Sequence, residues 1–340
     1  MSTSLVLRQL QPPRSALELV ARARCCGSSP QRGKRKRAAT PVVAALVTVT
    51  LACGTRETTR TGTDTALTTR IEHLVETFLT SDDDVRNGSA LSDAREIFER
   101  EGVPGVATVG DAAAYGFVLI NVLGQPPAFR RRFFARLQEP TIRDGLPQDA
   151  LAFAEARRRQ TEVEDRYQGH TPSDPELRDR IAQLLEADQA VREKDGFDAR
   201  KMEEADRRTA GPLKAIFDRY GVPTYDIVGV QAAKDFVVMA QHQPADFRLA
   251  VLPKLKANVD AGQADPATYA AVYDRTQRDQ GRNQLYGEQL ECATGKALDV
   301  APIDDATNVN SRRARLGLMR LELYARLVRL NSPDLCGAIQ

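Results

Sequence analysis

Residues 97–104 read Ile-Phe-Glu-Arg-Glu-Gly-Val-Pro, and residues 216–223 read Ile-Phe-Asp-Arg-Tyr-Gly-Val-Pro. The offset is 119 residues (216 minus 97), and the register runs on. Val109-Gly110 matches Val228-Gly229, Ala113 matches Ala232, and Phe117-Val118 matches Phe236-Val237. After a one-residue gap, Phe129-Arg130 matches Phe247-Arg248, Leu137 matches Leu255, Arg157 matches Arg275 and Tyr167 matches Tyr286. A period this long points to duplicated domains, not to a solenoid of short units. The expected architecture is therefore two tandem copies of a related multi-helix domain, over residues 70–172 and 176–332.

Each copy reads as helices. Gly110–Leu123 and Gly229–His242 carry apolar residues on almost every face, the pattern of a buried central helix. Before each stands Gly-Val-Pro, a helix-stopping signal. After each come segments with proline near a helix start, at 126–138 and 147–167 in the first copy and 244–261 and 266–280 in the second. The charged surfaces of 155–166 and 177–192 read as solvated faces. No segment sustains period-two alternation, so the fold class is all-α. With 42% hydrophobic and 28% charged residues in a chain of 340, neither a disordered polymer nor a multi-span membrane protein is expected.

The first 52 residues read differently. They hold nine basic side chains against Glu18 alone, which leaves 39 bases and 45 acids in residues 53–340 and a net charge of −6 there. The basic cluster Arg32–Arg37 precedes an uncharged apolar run, Pro41–Ala52. That layout is a secretory signal peptide. As a helix of about 18 Å the run is too short for a hydrocarbon core of roughly 30 Å. The hexamer Val49-Thr50-Leu51-Ala52-Cys53-Gly54 resembles the lipobox of bacterial lipoproteins, with Thr50 where Leu is usual. The resemblance implies cleavage before Cys53 and acylation of that residue, with two or more chains giving stable anchoring. It further implies a place in the bacterial cell envelope, with Gly54 after the cysteine implying the periplasmic side of the outer membrane. Residues 53–69 are Thr-rich and nearly devoid of large apolar side chains, and read as a tether. Cys292 and Cys336 remain as an even pair in an oxidising compartment, a possible disulfide or two unrelated thiols.

Comparing the copies singles out the second. It has Gln241 and His242 where the first has Val122 and Leu123, Asp246 for Ala128, and Asp274 for Ala156. It also carries Leu285-Tyr286-Gly287-Glu288-Gln289, preceded by Gln284, where the first has Arg166-Tyr167-Gln168-Gly169-His170. A duplicated protein with one working copy would look like this. From about Leu184 to Leu330 the chain resembles the domain of unknown function numbered 6624. The resemblance rests on Asp188-Gln189 with Arg192, Leu213-Lys214, Tyr220-Gly221-Val222-Pro223, Gln241-His242, Asp274-Arg275, the 284–289 run and Arg312-Arg313. Val222 stands where that family usually has Trp, and Glu288 where it usually has Thr. No reaction comes with the family.

Pro244 disfavours helix at Gln243, so His242 is predicted in the last turn of a buried helix, at the carbonyl end of its dipole. A structural histidine, a general acid/base and a ligand-gripping group are all open to it. No metal-ligand spacing occurs, and no cofactor motif. Asp274-Arg275 and Arg312-Arg313 suit either an anion clamp or an internal ion pair. Gln284, Tyr286 and Gln289 around Gly287 suit recognition of a polar backbone or simple loop closure. The first expectation is a binding module that grips a peptide, glycan or protein partner through Gln241, His242, Asp246, Asp274, Arg275, Gln284, Tyr286, Gln289, Arg312 and Arg313. The second is a hydrolase or transferase with His242 as acid/base, requiring His242, Asp274 and Tyr286 to converge within about 3–5 Å. The third is a structural spacer. Nucleic acid is not an expected partner of an acidic exported body.

Overall fold

A computed structural model describes residues 63–81, 84–194, 199–292, 298–331 and 336. The segment read as a signal peptide, and Cys53, lie outside the described residues. The fold is all-α, as the composition and periodicity imply. The first helix, α1 (Thr65–Thr80), starts inside the segment read as a tether. Asp64 caps it, its side chain accepting from the Leu67 N–H at 3.0 Å, while Thr68 donates its hydroxyl to the Val109 carbonyl. Ile71, Leu74, Val75 and Phe78 then recur at helical spacing on its buried face. The threonines concealed this stripe, because they precede it and weaken the local helix signal.

Helices α2 (Asp84–Glu101), α3 (Val106–Leu123), α4 (Pro127–Arg136), a single turn α5 (Pro140–Arg143) and α6 (Gln148–Tyr167) complete the first half. The second half carries α7 (Pro175–Lys194), α8 (Ala199–Tyr220), α9 (Tyr225–His242), α10 (Ala245–Asp260) and α11 (Pro266–Asp279). Helices α3 and α9 are the apolar ones, and each is buried as expected; Phe117 and Phe236 are fully excluded from solvent. Truncating either to Ala would cost about 3–5 kcal/mol. Helix α3 is long and apolar enough to cross a membrane, but most of that length is buried inside the fold.

Both central helices extend one turn further back than the sequence suggested, across a glycine. Gly110 has φ 81° and ψ 166°, and Gly229 has φ 80° and ψ 167°. This region of backbone space is open essentially to glycine alone. The turn before each glycine is thus set at an angle to the helix after it, and the same break occurs at both positions of the 119-residue register.

Two hydrophobic cores result. One lies among α7–α11 and includes Ile181, Leu213, Phe236, Val251 and Val272. The other belongs to the first half but also takes in Leu290, Leu298, Met319, Tyr324, Leu327 and Val328. The chain after α11 therefore turns back onto the first half. It forms strands β1 (Leu290–Cys292) and β2 (Leu298–Val300), paired antiparallel, then α12 (Val309–Arg315) and α13 (Leu321–Asn331). Helix α12 packs on α6, and α13 on α1. The small sheet departs from the purely helical expectation, since three-residue strands are too short to show alternation. Cys292 and Cys336 form a disulfide, with their Cα atoms 5.6 Å apart.

Candidate functional site

Beyond Asp226 in its first turn, helix α9 is apolar except for Gln231, Lys234, Asp235, Gln241 and His242. With Val238 between them, these positions recur at separations of three, four and seven residues and so share one face. Together they line a cavity of about 360 Å³. The opposite wall comes from the first half: Phe153, Arg157, Gln160 and Glu164, again one face of a helix, here α6. The C-terminal segment closes it with Glu288, Arg313, Met319 and Tyr324. Leu123 and His242, the last residues of α3 and α9, both reach this space. The cavity therefore belongs to neither half alone.

Its charges are paired across elements. Lys234 Nζ lies 2.7 Å from Glu164 Oε1 on α6 and 3.2 Å from Asp265 Oδ2 at the start of α11. Burial alone would lower the lysine pKa, but Asp265 and Glu164 outweigh it and raise the value above the usual lysine range. Asp235 accepts from Gln231 Nε2 at 2.7 Å, and burial pushes its carboxyl up. Glu288 and Arg313 form a buried pair at 2.7 Å. Burial raises the Glu288 pKa, with Arg313 opposing. Arg313 also donates to the Tyr286 and Met319 carbonyls and stacks 4.7 Å over the Tyr324 ring. Its Nη2, like Gln241 Nε2, is buried on this wall without a hydrogen-bond partner.

His242 faces a carboxylate that the sequence reading did not single out for a role. Its Nδ1 is 3.3 Å from Asp188 Oδ2 on α7, and that oxygen also accepts from Gln189 Nε2 at 2.9 Å. Asp206 of α8 completes the cluster: one ligating atom from each of Asp188, Asp206 and His242 lies within 4.8 Å of the others. Separations of 18 and 36 residues along the chain hold no metal signature, so only the packing of three helices reveals the group.

Of the ten residues proposed for binding, Gln241, His242 and Arg313 line the cavity. Asp274 instead organises the 284–289 loop, accepting from the N–H groups of Leu285 at 2.7 Å, Tyr286 at 3.0 Å and Glu288 at 3.0 Å. Burial drives the Asp274 pKa up to about 6, against the pull of those three N–H donors. Gln284 closes the same loop, its Nε2 donating to the carbonyls of Gln289 and Ala301 and its Oε1 accepting from the Gln289 N–H. Arg312 holds the Leu285 carbonyl at 3.0 Å and pairs with Asp305 at 2.9 Å. Tyr286 packs edge-on against Tyr269 and Tyr273, and burial pushes its hydroxyl up to about 12. Arg275 is buried, and Asp246 is exposed at the start of α10, accepting from the Phe247 N–H. Asp274 and Tyr286 thus serve the loop, while the carboxylate beside His242 is Asp188.

Sequence reasoning gave no role to Lys234, Glu164, Asp235, Asp188 or Asp206, although Asp188 stands among the motif residues of the family resemblance. The first three carried a legible signal: charged residues at helical spacing on an otherwise apolar helix, or facing one.

Residues 175–332 match the model of a family described as Family of unknown function (DUF6624), in agreement with the resemblance read from the motifs. No curated protein and no solved structure matches the chain.

Proposed function

For a chain whose residues 175–332 match that family, we propose the role of an envelope lipoprotein that binds a small peptide or glycan fragment in the cavity between its halves. The observation that carries the reading is the cavity itself. Its volume of about 360 Å³ suits a small ligand, and its walls hold buried cationic and anionic groups beside two unpartnered donors, Gln241 Nε2 and Arg313 Nη2. Buried donors left unpaired are costly, and a polar ligand that accepts from them recovers that energy. The mixture of Lys234, Arg157 and Arg313 with Glu164, Asp235 and Asp265 favours a zwitterionic or polyhydroxylated guest over a simple anion.

Anchoring through Cys53 follows from the lipobox-like hexamer, and the Cys292–Cys336 disulfide supports export to an oxidising compartment. The tether then holds the body off the membrane. Two experiments test the proposal. Cys53→Ser should move the protein from the membrane fraction to the soluble periplasm; retention on the membrane would refute the anchor. Cell-wall peptide and oligosaccharide fragments should raise the unfolding free energy of the full chain by about 2.7 kcal/mol at a hundredfold excess over Kd. No stabilisation by any fragment would refute the cavity as a binding site.

One observation favours a second reading, a hydrolase or transferase. A carboxylate at Nδ1 of a histidine on a cavity wall, as Asp188 is to His242, is how an acid/base imidazole is oriented. His242→Gln that binds the same fragments but loses their turnover would establish it.

A further inference from the structure

We propose that Asp188, Asp206 and His242 bind a divalent first-row transition metal, with its open coordination position turned to the cavity. The three side chains come from three different helices and converge deep in the second half. Asp188 is 0%, Asp206 6% and His242 2% exposed. One donor atom from each lies within 4.8 Å of the other two, a spread that an ion bound at ordinary bond lengths spans.

The geometry and charge agree. The 3.3 Å between His242 Nδ1 and Asp188 Oδ2 equals the edge of a tetrahedron of ligands at about 2.0–2.1 Å from a zinc ion, roughly 3.3 Å. Two carboxylates and an imidazole offer a divalent cation two anionic oxygens and a ring nitrogen. His242 ends α9, where the carbonyl end of the helix favours positive charge. Arg248 of α10 takes up the last carbonyls there, donating to Gln241 O and Gln243 O, so the imidazole does not compete with its own helix end.

The surroundings are those of a metal ligand set. Gln189 Nε2 donates to Asp188 Oδ2 at 2.9 Å, orienting the carboxylate as the supporting groups of metal sites do. Gln189, Gln241 and His242 all line the cavity, which gives the ion a route in and a ligand of the cavity a route to the ion. One imidazole and two carboxylates, with no thiolate, suit Zn²⁺ or Mn²⁺ over a soft ion such as Cu(I). Three protein ligands and an open position are the arrangement of reactive metal sites, whereas purely structural zinc sites fill all four positions.

The assignment is independent of what fills the cavity, because the metal is read directly. Full-length protein, purified without metal-affinity resin and stripped with EDTA, is titrated separately with Zn²⁺ and Mn²⁺ by calorimetry. One equivalent of at least one metal should bind, and His242→Gln and Asp206→Asn should each weaken it by about 100-fold or more. Absence of saturable binding of both metals, or unchanged affinity in both variants, would overturn the proposal. If the variants fail to fold, the wild-type protein decides through its Co²⁺ spectrum. Intense visible bands of a low-coordinate cobalt site support the proposal, and the pale spectrum of the aquated ion refutes it. Metal binding without any effect of peptide or glycan fragments would uphold this site while removing the ligand proposal, and the reverse result would do the opposite.

Discussion

Arg320 grips Asp149 through two hydrogen bonds, Nε to Oδ2 at 2.6 Å and Nη2 to Oδ1 at 2.7 Å, across 171 residues of sequence. The guanidinium also pairs with Asp111 and lies 4.2 Å over the Tyr115 ring, while the Arg320 N–H donates to the Tyr115 hydroxyl. This clamp fastens the C-terminal segment to α3 and α6 of the first half. It thereby sets Arg313, Met319 and Tyr324 in place as one wall of the cavity.

Removing the clamp should be expensive, because both groups are mostly buried and each would leave the other uncompensated. Arg320→Ala is expected to lower the unfolding free energy by about 3 kcal/mol. Asp149→Ala added to it should cost little more, since the two share one interaction. Urea denaturation of the two single variants and the double variant checks this; additive losses would show that the pair is not coupled.

The paired glycines give a second test. Gly110 and Gly229 share a backbone geometry with positive φ, and a Cβ at Gly110 would meet nothing within 4 Å. The penalty for alanine is therefore one of backbone strain and not of crowding. Gly110→Ala and Gly229→Ala should each destabilise by about 1–3 kcal/mol. A stabilised variant at either position would contradict the kink.

Much of this was legible in advance. The repeated octets, Gly-Val-Pro stops and prolines near helix starts placed α3, α4, α6 and α9–α11 to within a few residues, because those signals are local. The cavity was only half legible. Gln241 and His242 stood out as polar replacements for Val122 and Leu123, but Asp188 and Asp206 become neighbours of His242 only when three helices pack. The 284–289 loop misled for a physical reason. Its polar side chains look the same whether they face a ligand or satisfy their own backbone, and in Asp274 and Gln284 they do the latter. The return of the described residues after α11 to the first half left no local trace, as it depends on tertiary pairs such as Arg320 with Asp149.

Asp274 predicts a pH dependence. Its pKa, raised by burial to about 6, lies above the value of about 3.9 expected in the unfolded chain. Between these values the folded protein holds the extra proton, so stability contributed by this group is full below about pH 4 and is lost as pH rises through 6. The loss by pH 7 is up to about 3 kcal/mol. Comparing wild type with Asp274→Asn in urea at pH 4, 5, 6 and 7 isolates the effect. The difference between the two should shift against wild type as pH rises; a flat difference would contradict the raised value.

The disulfide gives a further check. Cys292 and Cys336 close a loop with a sequence separation of 44. Replacing both with Ser should cost about 4 kcal/mol in the chain-entropy account. Equal midpoints of unfolding with and without a thiol reductant would contradict a bond in the mature protein.

Native mass spectrometry of the full chain, incubated with cell-wall peptide and glycan fragments, addresses the binding cavity most directly. The expected spectrum shows a one-to-one complex with a small polar molecule, absent in Gln241→Leu, a variant that gives up a side-chain donor already lacking a partner. A spectrum of bare protein with every fragment, or the same complex undiminished in Gln241→Leu, would contradict it.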